Sequence, residues 1–380
     1  MVARALPALA LTGVLTVSLL TGCSTQGAVA GPAADPRPLL SAPEPARAPA
    51  PTAAPAGRVQ TLGGGRPEGM VADPVSGLIA IGLRSPDRVA LVDPKTGQVR
   101  TSLVYGSARH LELAGGVSGA GGGGRGGLIV PGEDSDLVTT YDLPSMQARS
   151  VVKVGRQPHD VAVTQDGTQD GTLYVADEFG GSVSVVRFGR VVKTFRGLLQ
   201  PGGAAGNGEI GAVVDVRSRL THFYRGDRQI ARLASGAGPT HALSLGGAGF
   251  LVTDTTGGKL YRYSAPQLVS TEPESSASAP QTSSSAPQGG DPAAPRQLEV
   301  FDLPGRPYGT AYDTRRRRIF ITATERNELV QLSVTPTGLK VEHRYPTVRD
   351  AYSVAVDSAS GRVFVTSESE STLQILDPLP

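Results

Sequence analysis

Cysteine is almost missing from this chain: 380 residues include a single one, Cys23. An internal disulfide is therefore impossible, and any folded body must be held by its own packing. Neither sign of charge is in excess. Lys and Arg total 36 against 34 Asp and Glu, a formal net charge of +2, which gives nucleic-acid binding little electrostatic support. After the first twenty residues no hydrophobic run approaches the roughly 20 that a membrane helix needs. A sustained 3.6-residue apolar period is also missing, and with it any long amphipathic helix. Familiar catalytic signatures are lacking. There is no GxSxG elbow, no HExxH and no HxH, and the glycine-rich stretch 119–127 lacks the Gly-Lys-Ser/Thr ending of a phosphate loop.

What is present begins at the N-terminus. After Arg4, residues Ala5 to Leu20 are all apolar or small. That run is short for a membrane span but suits the core of a signal peptide. It leads into Leu20-Thr21-Gly22-Cys23, which resembles a bacterial lipobox. The resemblance implies cleavage before Cys23, acylation of that cysteine with palmitate-type chains, and a lipoprotein anchored on the outer face of the cell membrane. Each buried CH₂ of such chains contributes about 0.8 kcal/mol to anchoring. Residues 1–22 are thus expected to be a signal peptide. Residues 23–57 follow as the lipidated cysteine and a disordered tether, rich in Pro and Ala, with too few large apolar side chains to offset chain entropy.

From Arg58 to Pro380 short alternating apolar runs are separated by Gly, Asp and Pro turns, the pattern of an all-β body. The runs repeat. Each unit opens with Pro or Ala, continues into a short apolar strand, turns at Asp or Gly and enters a second, strongly apolar strand. Equivalent openings fall at Pro67, Ala108, Pro158, Pro201, Pro239, Pro307 and Ala351. Their spacing is about 40 residues, the length of a propeller blade, once two insertions are set aside: Gly115 to Gly126 in the second unit, and the Ser/Pro/Ala tract 265–296 in the fifth. The seventh unit has room for three strands only. Arg58 to Leu62 supplies its fourth, so strands from both termini close the ring and remove exposed edges. A seven-bladed β-propeller is the expected fold, acting as a monomer.

Segments such as 171–177 (GTLYVAD), 361–366 (GRVFVT) and 89–97 (VALVDPKTG) resemble YVTN-type, NHL-like propeller repeats. The resemblance covers nearly all of 58–380 and implies the fold. It does not imply one activity, because propellers serve as binding proteins, scaffolds and enzymes. Blade four departs most from the pattern, with a glycine-rich opening at 201–206.

In a propeller, residues opening each innermost strand gather at one mouth of the central channel, and turns joining second and third strands reach the same face. Two adjacent rings result: Glu68, Arg109, His159, Gly202, Thr240, Tyr308, Tyr352, and then Gly69, His110, Asp160, Gly203, His241, Gly309, Ser353. Glu133, Asp134, Asp177, Glu178, Asp254, Glu325 and Glu368 join them from the turns. The candidate ligand-binding mouth is therefore Glu68, Arg109, His110, His159, Asp160, His241, Tyr308 and Tyr352, with the two tyrosines as stacking surfaces. A metal held by His110, His159 and His241 is a sharper variant, since imidazole and carboxylate suit zinc-like ions. No catalytic residue is assigned and no cofactor is expected. The glycine insertion is expected to overhang the mouth, and Arg315 to Arg318 to form a solvated turn on the opposite face.

These readings describe a membrane-anchored, extracytoplasmic binding protein of the cell envelope. Its partners would be membrane lipid through Cys23 and an envelope protein or small polar ligand, not nucleic acid. The alternatives are a metal-assisted lactonase- or lyase-like enzyme using the same mouth, and a passive envelope scaffold.

Overall fold

A computed structural model describes residues 42–114, 127–165, 171–266 and 294–379. Cys23, the signal motif Leu20, Thr21 and Gly22, the glycine insertion 115–126 and most of the tract 265–296 lie outside the described residues. The fold is a seven-bladed β-propeller, each blade a four-stranded antiparallel sheet. Inner strands run Arg66–Ala72, Glu112–Leu113, Pro158–Val163, Pro201–Asn207, Pro239–Ser244, Pro307–Asp313 and Ala351–Asp357, beginning at or within a few residues of the expected openings. Blade seven takes its outermost strand, Arg58–Thr61, from the N-terminal side, where it pairs with Thr372–Leu376.

Strong β-formers with a two-residue period make the second and third strands, and both of their faces are covered. Seven apolar clusters result, one in each gap between neighbouring blades. Ile81 and Leu83 of blade one meet Phe364 and Ile375 of blade seven, while Phe223 of blade four meets Phe250 and Tyr263 of blade five. The core is thus a ring of inter-blade layers surrounding a channel. Asp side chains fix the hairpin turns at the far end: Asp73 accepts the Ser76 N–H at 3.0 Å, and Asp357 that of Ala359 at 2.9 Å.

Blade four follows the pattern despite its glycines, which let its inner strand press on blade three. A Cβ on Gly206 would fall 1.7 Å from the Val163 carbonyl oxygen. The described residues on either side of the glycine insertion, which was expected to overhang the mouth, lie away from that face. Ala114 and Gly127 pair by a 2.8 Å hydrogen bond at the far end of the first hairpin of blade two, opposite the mouth. Arg315 to Arg317 form an exposed turn on that same far face.

The expected disordered tether needs a correction over its described part. Residues 42–57 lie on the disc as a strap. Ala48 is 3% exposed, its N–H donates to Asp350 Oδ1 at 2.7 Å, and its carbonyl accepts from Arg349 Nε at 3.2 Å. The Ala46 N–H donates to Thr324 Oγ1 at 3.2 Å, and Asn327 Nδ2 to the Pro49 carbonyl at 3.0 Å. Composition measures how much apolar surface a segment can bury. This segment is held instead through its backbone groups, which blade-edge side chains satisfy.

Phe364 is fully buried at the closure between blades seven and one. Phe364→Ala should cost about 3–5 kcal/mol in denaturant unfolding. Phe188→Ala, at a position 73% exposed, should stay within about 0.5 kcal/mol of the parent.

Candidate functional site

Every inner strand starts at the mouth, and neighbouring strands approach there to backbone contact. A Cβ on Gly69 would sit 2.6 Å from the Arg109 carbonyl oxygen. One on Gly203 would sit 2.3 Å from that of Thr240, and one on Gly309 2.5 Å from that of Tyr352. Only glycine allows this approach. The residues opposite these glycines, His110, His241 and Ser353, consequently stand close to the axis.

All eight expected mouth residues come together, but they fill the mouth instead of rimming it. Glu68, His159, Asp160, Tyr308 and Tyr352 are buried. Over blades one to four runs an ionic chain. Arg84 pairs with Glu68 at 3.3 Å and also with Glu133, and Arg109 lies 3.7 Å from Glu68. His159 Nδ1 is 3.0 Å from both Glu133 Oε1 and Glu178 Oε2, and Gln200 Nε2 donates to Glu178 Oε1 at 2.6 Å. Three carboxylates thus face two guanidiniums and one imidazolium. Burial pulls the His159 pKa down, but hydrogen bonds to Glu133 and Glu178 outweigh it and raise it to about 9. Burial pushes Glu178 up, yet the His159 hydrogen bond and charge bring it down to about 2.

From blade three the site continues as a file of rings. His159 and His110 have centroids 4.8 Å apart, His110 and His241 5.0 Å, His241 and Tyr308 4.4 Å, Tyr308 and Tyr352 5.0 Å. The tyrosine hydroxyls lie 3.1 Å from one another. Both tyrosines are buried and meet their neighbours edge to face, so they are not open stacking platforms. The three imidazoles do meet across the channel, but through ring contacts. Among the described residues, the donor atoms that converge closely enough for a metal are those of Glu133, His159 and Glu178, all within 4.8 Å of one another. Binding a cation there would require His159 to give up its proton, with Arg84 still paired to Glu133.

Below the plug lies a cavity of about 180 Å³ running along the inner strands, from His110 and His241 down to Thr314 and Val356 at the far end. Burial, followed by the charge of His159, holds both His110 and His241 neutral, His241 at about 3. Their Nε2 atoms are buried without a hydrogen-bond partner among the described residues. Asp160 accepts the Ala204 N–H at 2.8 Å, tying blade three to blade four, and burial raises its pKa to about 6.

One lining residue escaped the sequence reading. Glu112 enters the cavity from blade two, and burial raises its carboxyl to about 8. A signal for it was present. Four residues after each opening the chain has Val71, Ala162, Ala205, Leu243, Ala311 and Ala355, and only blade two has an acid. Arg84 and Gln200 were also missed, Gln200 because it lies one residue ahead of its blade's opening.

No family model matches the chain, and no curated protein does. Solved structures do. The WD40 repeats of RRP9 are 12% identical, with 86% of this chain and 99% of that one covered, at a TM-score of 0.65. A catalytically inactive virginiamycin B lyase from Staphylococcus aureus, with quinupristin, is 10% identical, covering 85% and 99%, at 0.60. A putative 6-phosphogluconolactonase from Bacteroides uniformis is 13% identical, covering 76% and 87%, at 0.53. Likeness at these identities speaks for the fold alone.

Two pH dependences follow. The raised His159 pKa stabilises the fold fully below its ordinary 6.5, and that contribution is lost as pH rises through 9. The lowered Glu178 pKa contributes above its ordinary 4.5 and is lost as pH falls toward 2. His159→Ala should therefore cost about 3 kcal/mol or more at pH 5–6, and much less at pH 9.5, in denaturant titrations. Glu112 works in the opposite direction. The unfolded chain releases its proton near 4.5 and the folded one near 8, so ionisation increasingly favours unfolding between those values, by at most about 1.4 kcal/mol per pH unit. Glu112→Gln should melt with the parent near pH 4.5 and several degrees above it at pH 8.

Proposed function

We propose that this chain is an exported propeller, tethered to the membrane through Cys23, that takes a small, uncharged polar ligand into its central channel. What carries the reading is the pair of buried imidazole Nε2 atoms of His110 and His241, without hydrogen-bond partners among the described residues, in the lining of a cavity. Such groups gain when a ligand supplies the missing hydrogen bonds. Burial keeps both imidazoles neutral, and Glu112 holds its proton up to about 8, so the wall offers neutral donors and acceptors. Val71, Ala205, Leu243 and Ala311 complete it with apolar surface. At about 180 Å³ the cavity is below the roughly 300–1,000 Å³ of drug-sized sites, which favours a small metabolite. With the mouth plugged, entry is from the far end, where Thr310, Tyr312 and Thr314 are only half-buried. The membrane tether rests on the apolar run ending in Leu20-Thr21-Gly22-Cys23.

A second reading is an enzyme of lactonase or lyase type. It is favoured by the convergent donors of Glu133, His159 and Glu178, and such activities occur among the structurally similar propellers.

Native mass spectrometry of protein purified from membranes tests both. The parent should carry acyl mass that Cys23→Ser abolishes, and a bound small molecule at one per chain. His110→Phe combined with His241→Phe should lose that molecule while keeping the parent's circular dichroism; identical ligand occupancy in parent and variant would refute the channel. One equivalent of divalent metal, lost in Glu178→Gln, would turn the assignment to the enzyme.

A further inference from the structure

We propose a second binding site, for a phosphate-class oxyanion, in a cleft on the mouth face between the strap and blades four to six. It does not depend on the channel reading. The cleft has a volume of about 350 Å³, with Pro43 and Glu44 of the strap on one side and Arg217, Arg219 and Arg306 on the other.

The arginines come from two separate turns: Arg217 and Arg219 from the second turn of blade four, and Arg306 from the entry to blade six. Several arginines elsewhere in the body are held by carboxylates. Arg84, Arg149, Arg262, Arg316 and Arg344 each pair with a carboxylate. Among the described residues, none of the three cleft arginines has an ion pair or a side-chain hydrogen bond. Glu44 is the single acid in the lining, so the cleft carries a surplus of two positive charges.

The cleft is anchored by its backbone. Arg219 and Arg306 sit at φ 62° and 60°, a left-handed conformation uncommon outside glycine. Each is locked by hydrogen bonds. The Arg219 N–H donates to the Asp215 carbonyl at 2.9 Å and its own carbonyl accepts from Ser235 at 2.9 Å, while Thr324 Oγ1 donates to the Arg306 carbonyl at 3.1 Å. Pro43 packs on Gly238, closing one wall with apolar surface. Guanidinium forks in net positive excess, those of Arg219 and Arg306 on fixed backbone and partly shielded from water and that of Arg217 exposed, suit the paired oxygens and double charge of a phosphoryl group. A monocarboxylate would use only part of this.

The source of the phosphoryl group is either a lipid headgroup or a soluble phosphate, and two arms separate them. In the first, full chain carrying Cys23→Ser, to leave out the acyl chains, is titrated with inorganic phosphate by ³¹P NMR at low ionic strength. Saturable binding is expected at one per chain, weakened roughly tenfold or more in Arg219→Gln/Arg306→Gln, by loss of two charged hydrogen-bonding groups. Arg315→Gln/Arg317→Gln removes the same charge from the far face and should leave it unchanged. Arg219→Lys/Arg306→Lys should fall between, confirming that the fold tolerates change at these positions. His241→Phe should have no effect, which separates this site from the channel. In the second arm, the same proteins sediment with phosphatidylglycerol vesicles; binding lost only in the cleft pair assigns the phosphate to lipid. Equal weakening in both glutamine pairs, no weakening in either, or no binding of phosphate and vesicles by the parent would each overturn the proposal.

Discussion

The contact on which the site depends is the approach of one inner strand to the next at backbone distance, permitted by Gly69, Gly203 and Gly309. Any side chain at these positions would push the neighbouring blade outward. With glycine there, the strands carrying His110, His241 and Ser353 come in close, and the channel is too narrow for its polar residues to keep separate hydration. Imidazoles from blades two and five, far apart in sequence, end with ring centroids 5.0 Å apart. The seven apolar layers between blades hold this geometry from outside, where fully buried Phe, Tyr, Ile and Leu side chains resist any widening.

Crowding polar groups out of water has to be compensated, and the two halves of the site do so differently. Over blades one to four, charge is retained and paired: Arg84, Arg109 and the imidazolium of His159 stand against Glu68, Glu133 and Glu178. Nearer the axis, charge is removed. His110 and His241 stay neutral, and Glu112 keeps its proton to about 8. The halves are coupled, since the His159 charge is among the influences that keep the other two imidazoles neutral. The ionic half therefore acts as a fixed plug, and the neutral half is left able to exchange hydrogen bonds with something else.

How much of this could be read from sequence depended on whether a residue obeyed the repeat. The 40-residue spacing located seven blades, the closing strand and all eight mouth residues, because periodicity fixes which side chains share a level. It did not reveal that the mouth is filled. That follows from how far inward each strand moves, which glycine contacts decide and repeat length does not. Glu112 was legible as the one acid in an otherwise apolar level, but reading stopped at two rings. Residues outside the repeat were the hardest. The strap was assigned by its Ala and Pro content to free chain, yet its backbone is bonded to Thr324, Asn327 and Asp350. Arg217 and Arg219 lie in a turn within blade four and Arg306 in a connection between blades, where no register relates one to another.

The strap also marks one face of the disc. The described chain runs from Ala42, on the mouth face beside the arginine cleft, across blades six and seven and into the sheet at Arg58. That face is the plugged one, and among the described residues its cleft arginines have no ion pair. The far end of the channel, where Thr310 and Thr314 are half-buried, is on the opposite face. The proposed channel entry and the proposed cationic cleft are compatible for this reason: they lie on opposite faces. Seven-fold architecture alone would not separate the two faces. The separation comes from one irregular segment of about 16 residues bound to the mouth face by a few backbone hydrogen bonds, each contributing only about 1 kcal/mol.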